Sequence, residues 1–153
     1  VARAWERKFL GFSFWVAPGR VIRRRVAPQT LKEMKDRVRQ ITSRSGGRSL
    51  TAVVAELREY LTGWRAYFRL AETPGVFRDH DEWIRHRLRA VQLKHWKRGR
   101  TMYRELRARG LSDANAAYVA SNGRRWWHNS GMLIHIALPT RMFDALGLPR
   151  LGA

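Results

Sequence analysis

The rhythm of apolar and polar positions changes near residue 30. Residues 9–15, FLGFSFW, are apolar and aromatic, and residues 21–26, VIRRRV, follow a short VAPGR turn. Two β-prone runs joined through Pro-Gly predict a hairpin. On its second strand Val21, Arg23 and Arg25 share one face, with Ile22, Arg24 and Val26 on the other. Two arginines on one face argue that it meets solvent or phosphate. From Thr30 the spacing becomes helical: Leu31, Met34, Val38 and Ile41 recur on one side, with Lys32, Lys35 and Arg39 along a neighbouring face. TLKE reads as a capping box, Thr30 accepting from the amide at Glu33 and Glu33 reaching back. SRSGGRS at 43–49 ends that helix in a polar loop.

A second helix opens near Ser49, its stripe formed by Leu50, Val53, Val54, Leu57, Leu61, Trp64 and Phe68. That continuity with aliphatic residues makes Trp64 and Phe68 core rather than base-stacking platforms. Gly63 lies beside the stripe, where a glycine costs about 1 kcal/mol against alanine, so close approach of another helix is expected there. ETPGVFRD at 72–79 reads as a turn, and residues 79–100 as a third helix, with Asp79 or Asp81 capping its start. Ile84, Leu88 and Val91 mark its inner face. Helical pieces follow at 101–110, stopped by Gly110, and at 112–123, capped by Ser112 and stopped by Gly123. RRWWHNSG at 124–131 interrupts them, and MLIHIAL and TRMFDALG give two more short helices around Pro139. The fold class is therefore mainly α: a short N-terminal β-hairpin, a helical bundle and short C-terminal helices.

Charge adds the strongest functional signal. Thirty-one Lys and Arg against 12 Asp and Glu leave +19, a balance that calls for a polyanionic partner. Arginine dominates, which suits bidentate grips on phosphate and stacking on bases. Absence of cysteine excludes disulfides and thiolate metal sites, and no apolar run is long enough to span a bilayer. A soluble, cytoplasmic chain is expected, and its start at Val1, within what reads as an interrupted strand, suggests a piece of a longer protein. The third helix carries Arg85, Arg87, Arg89, Lys94, Lys97 and Arg98 with no carboxylate between Glu82 and Glu105, a density that phosphates would neutralise. HWKRGR and RRWWHN interleave cations with aromatics, the mixture that single strands and RNA loops favour. The expected RNA-binding set is Lys32, Lys35, Arg39, Arg85, Arg87, Arg89, Lys94, Lys97, Arg98, Arg100, Arg124 and Arg125, with Trp96 or Trp126 giving selectivity at unpaired nucleotides. One of the adjacent Trp126 and Trp127 should be core. DHDE at 79–82 offers no metal spacing, and the histidines are scattered, so no catalytic residue and no metal ligand is expected. A generic architectural nucleic-acid binder is the alternative; a membrane-surface protein and a nuclease fit less well.

LTGWRAYFRL followed by DEWIRHRLRAVQLKHWKR resembles the maturase-specific region, domain X, of bacterial group II intron-encoded reverse transcriptases. The resemblance runs through Gly63, Trp64, Tyr67 and Phe68, then Asp81, Trp83, Ile84, Arg87, Leu88 and Arg89, then Trp96, Lys97 and Arg98. The tail RRWWHNSGMLIHIALPTRMFDALGL is similar to the ending of many members. FLGFSF looks like the last palm strand of these polymerases, which would make Phe9, Leu10, Gly11 and Phe12 primer-grip-like. The resemblance implies an end-of-palm hairpin at 1–26, a thumb and maturase-specific domain at 27–98, and a C-terminal helical extension at 99–153. It implies binding of group II intron RNA to promote splicing, with the RNA performing the chemistry, and a grip on template–primer duplex. The upstream fingers and palm of the parent protein would be a further partner, in a ribonucleoprotein or nucleoid setting, with no membrane. The polymerase's Tyr-x-Asp-Asp lies upstream of the palm strand in that family, and no Asp-Asp pair occurs here. Reverse transcription would thus belong to the intact polymerase, as would its Mg²⁺, and the cysteine-free chain would lack the zinc endonuclease module.

Overall fold

The hairpin sets where the first helix can begin. In the computed structural model, which describes residues 8–43, 47–131 and 133–152, β1 (Phe12–Ala17) pairs antiparallel with β2 (Val21–Val26), Phe12 opposite Val26. The expected interrupted strand at Val1 and the middle of the 43–49 loop lie outside the described residues. The apolar run at 9–15 is not strand throughout. Phe9 and Phe12 exchange backbone hydrogen bonds of 2.8 and 2.9 Å across Leu10 and Gly11, whose φ of 50° and 83° make a tight reverse turn. A Cβ on Gly11 would lie 2.9 Å from Phe68 Cζ, so this turn needs glycine both for its φ and for room.

Helix α1 (Pro28–Ile41) begins two residues before the expected capping box. Pro28 supplies a preset φ at the first helical position, Ala27 is the cap, and its amide bonds to the Gly11 carbonyl at 2.8 Å. Thr30 is buried inside the first turn, and Glu33 accepts from Gln29 Nε2 at 3.2 Å instead of reaching back. Helix α2 (Leu50–Phe68) starts as expected, the Ser49 hydroxyl accepting from the Ala52 amide at 3.2 Å, and its whole apolar stripe is packed on the core.

Two expectations on α2 and α3 are corrected. Gly63 is exposed, and a Cβ there would meet nothing within 4 Å; no helix crosses at this point. Helix α3 (Pro74–Trp96) starts five residues before Asp79, again with proline in the first turn, and ends at Trp96 rather than 100. Neither Asp79 nor Asp81 caps it. The chain turns at Lys97 (φ 48°) into α4 (Gly99–Ala108), which Gly110 closes with φ 91°. Ser112 caps α5 (Asp113–Ser121), but Asn122 rather than Gly123 ends it. The segment expected only as an interruption holds a one-turn helix, α6 (Trp126–Ser130). Then come α7 (Ile134–Ala137) and α8 (Thr140–Ala145), the two short pieces around Pro139.

One cluster of buried side chains runs from Val26 through Met34, Leu57, Leu61, Leu88, Met102, Leu106 and Phe143 to Leu151. The molecule is thus mainly helical, with the hairpin at one end and the C-terminal helices folded back against α3.

Candidate nucleic-acid interface

Residues four apart on a helix share a face, and this spacing sorts the cations of α3 into two stripes. Asp81, Arg85 and Arg89 form one; Trp83 and Arg87 form the other. The first stripe faces the C-terminal segment. Arg85 is 3% exposed, and its guanidinium donates to the Asp144 carboxylate at 3.1 Å and lies 3.7 Å from Asp81. Asp81 in turn accepts from the amides of Leu151 and Gly152 at 2.8 and 2.9 Å. Arg89 Nε donates to the Leu138 carbonyl at 2.9 Å, and its guanidinium lies 5.7 Å from the Phe143 ring. Burial, followed by the nearby charge of Arg85, lowers the affinity of Arg89 for its proton. Arg85, expected on RNA, is therefore an interior residue that ties the C-terminal segment to α3, and Arg89 spends its donors in the same way. The carboxylates that neutralise them come from Asp81, one turn back, and from Asp144, far along the chain.

The second stripe faces α1. Lys35 and Arg39, one turn apart, stand against Trp83: Lys35 Nζ lies 5.0 Å, Arg39 Cζ 5.4 Å and Arg87 Cζ 5.5 Å from its ring centre. Each such contact is worth about 0.5–1 kcal/mol at exposed sites, and together they gather three positive charges around one indole. Thr42, at the end of α1, fixes the geometry. Its hydroxyl donates to the Val38 carbonyl at 2.6 Å and accepts from Arg87 Nε at 2.8 Å. Asp36 is the acid at this edge, accepting from Lys32 at 3.3 Å and Arg39 at 2.8 Å. The hydrogen bond from Lys32, with the charges of both cations, holds its carboxyl below the ordinary range.

Helix α6 closes the cleft. His86 stacks on Trp127 with ring centres 3.7 Å apart and planes 11° apart, and its Nε2–H donates to the Trp127 carbonyl at 2.8 Å. Buried Asn129 holds α6 in place by donating to the carbonyls of Asn122 (2.9 Å) and Val119 (3.4 Å). Arg39, Thr42, Trp83, Arg87, Ala90 and Trp127 thereby line a cleft of about 220 Å³.

Of the expected residues, this face brings together Lys32, Lys35, Arg39 and Arg87. Lys94 lies over Trp126, 5.4 Å from its ring centre, and Trp126 packs against the core. Trp127 is the more exposed of the pair, at 44%. The selectivity expected of Trp126 therefore falls to its neighbour, because the core holds the Trp126 ring. Trp96 is likewise half-buried, with Arg109 5.0 Å from its ring centre. Lys97, Arg98, Arg100, Arg124 and Arg125 are exposed around the α3–α4 link and before α6. At the other end, Phe9 and Leu10 are each 66% exposed, Phe12 packs on Phe68, and Tyr67 donates its hydroxyl to the Leu10 carbonyl at 3.0 Å. The aromatics of α2 thus divide: Trp64 and Phe68 fill the core, and Tyr67 clamps the turn at 9–12.

Sequence reasoning misses Trp83, Thr42, His86 and Trp127 as parts of one site. The i, i+4 pairing of Lys35 with Arg39 and of Trp83 with Arg87 is the signal that could have found half of it; the arrival of α6 has none. Among the described residues, no three His, Asp or Glu side chains lie close enough to hold a metal ion, and no helix is long and apolar enough to cross a membrane.

No curated protein matches the chain. The model of the family described as "Group II intron, maturase-specific domain" matches residues 31–110, more than half of the sequence. That span runs from the first turn of α1 to the glycine that closes α4, and so contains both stripes of α3. The chain belongs to the group II intron maturase-specific domain family, whose partner is intron RNA.

Proposed function

We propose that this chain binds folded group II intron RNA through the α1–α3–α6 face, and that it supports splicing by holding the RNA in its active fold. The observation that carries the reading is the gathering of Lys35, Arg39 and Arg87 on Trp83 beside an exposed tryptophan. Like charges so placed repel one another, and phosphates relieve that repulsion while releasing condensed counterions. Lys97, Arg98, Arg100, Arg124 and Arg125 extend the basic surface, whereas Arg85 and Arg89 support it from within. In the same reading the exposed Phe9–Phe12 turn grips template–primer duplex when the chain is part of a reverse transcriptase.

Filter binding of an intron transcript across a potassium chloride series tests the proposal. Log affinity should fall steeply and linearly with log salt, and the intron should outcompete equal masses of tRNA or duplex DNA. A flat salt response would refute it, and equal competition by tRNA would reduce the chain to a generic basic binder.

A further inference from the structure

We infer that the cleft between α1, α3 and α6 takes a single unpaired RNA nucleobase stacked on Trp127, with its flanking phosphates at Lys35 and Arg39. The inference rests on the RNA-binding reading above and gives it a specificity. Trp83 cannot serve as the stacking platform, because three cations already stand around its ring. Trp127 is the aromatic of the cleft that keeps 44% of its surface exposed.

That indole is also held in place. His86 covers part of it in a parallel stack, and the Trp127 carbonyl accepts from both His86 Nε2 and Ser130 Oγ at 2.8 Å. Its helix is pinned through fully buried Asn129. Ordering a large side chain costs conformational entropy, and here the ordering leaves a flat apolar surface facing solvent. A stacking platform benefits from such preorganisation, because a base then binds without further loss of freedom.

Size and chemistry narrow the ligand. At about 220 Å³ the cleft is smaller than the roughly 300–1,000 Å³ of small-molecule sites; it suits one planar heterocycle. The bases of a duplex are stacked inside the helix and cannot enter. Unpaired bases, by contrast, stack on aromatic rings and guanidinium planes, and the cleft offers an indole together with the guanidinium groups of Arg39 and Arg87. Trp127 lies outside residues 31–110, so the family match alone assigns it no role.

The test uses the full chain and two RNA hairpins of equal length and charge, one fully paired and one with a single bulged aminopurine. The wild type should bind the bulged hairpin about tenfold more tightly, with aminopurine emission falling on binding. In Trp127→Ala the ratio of the two affinities should drop to about one, whereas Trp127→Phe should keep most of it, since a ring remains to stack on. Removing the indole could unseat α6, so the wild-type emission change is read independently of either variant. Equal wild-type affinities, unchanged emission, or a full ratio in Trp127→Ala would each overturn the inference alone. Binding to neither hairpin at low salt would overturn the RNA-binding reading as well.

Discussion

Helix α3 carries arginines on two faces, and the two faces do opposite things. Arg85 and Arg89 point at the C-terminal segment, where Asp81, Asp144 and the Leu138 carbonyl meet them. Arg87, with Lys35 and Arg39 opposite, points at a tryptophan and an open cleft. The difference teaches that a count of cations along a helix is not a count of phosphates bound. What decides is which neighbour the i, i+4 stripe meets. A charge that finds a carboxylate inside the fold becomes part of the architecture, and one that meets an aromatic face at an open cleft keeps its positive field for an outside partner.

The largest expected effect comes from breaking the interior stripe. Arg85→Ala leaves Asp81 and Asp144 without their shared guanidinium in a mostly buried setting, and loss of one partner of a buried pair costs about 3–5 kcal/mol. Guanidinium unfolding should show the midpoint falling with an unchanged slope. RNA affinity of the folded fraction should stay near wild type. An Arg85→Ala chain of full stability that binds RNA poorly would collapse the distinction between the two faces.

The converse change sharpens it. Lys35→Glu with Arg39→Glu should lower the steepness of the salt dependence by about two units, one for each phosphate no longer neutralised. Stability should move by no more than about 0.5 kcal/mol, since both side chains lie at the surface, and the exposed Arg39–Asp36 pair contributes little.

Acid separates the faces without mutation. The Asp144 carboxyl is held below its ordinary range, chiefly by the hydrogen bond from Arg150 and then by that from Arg85. A lowered carboxylate contributes stability that is present above its unfolded value and lost as pH falls through its folded value. Below about pH 4, hydrogen exchange at Leu151 and Gly152 should therefore accelerate before exchange on α2 does. Simultaneous loss would mean that the C-terminal segment does not respond separately.

Much of this fold is legible in the sequence. The α2 stripe, the Ser49 and Ser112 caps and the Gly110 stop follow from local chemistry, and the structure keeps each of them. Both misplaced helix starts share one cause. Pro28 and Pro74 look like turn residues in the sequence, yet each occupies a first helical turn, where its missing N–H has no partner to forgo. The site is half legible. Lys35, Arg39 and Arg87 follow from spacing, but the burial of Arg85 depends on Asp144, 59 residues away, and the exposure of Trp127 depends on how α6 lands on α3. Pairings at such separations leave no periodic trace.

Gly63 yields the smallest effect and tests a third kind of surface, one that neither packs nor binds. The glycine of the Gly-Trp-x-x-Tyr-Phe pattern invites the idea of a helix crossing, yet it sits on the outer side of α2 with open space around it. Its neighbours Trp64 and Phe68 face inward regardless. In a helical conformation with nothing nearby to displace, Gly63→Ala should reduce the freedom of the unfolded chain and raise helix propensity together. Both act in the same direction, for a gain of about 0.5–1 kcal/mol. The expected result is a thermal midpoint a few degrees higher with intron affinity unchanged. A fall in the midpoint would restore the helix crossing at Gly63; a fall in affinity alone would extend the binding surface from α1 and α3 onto the outer side of α2.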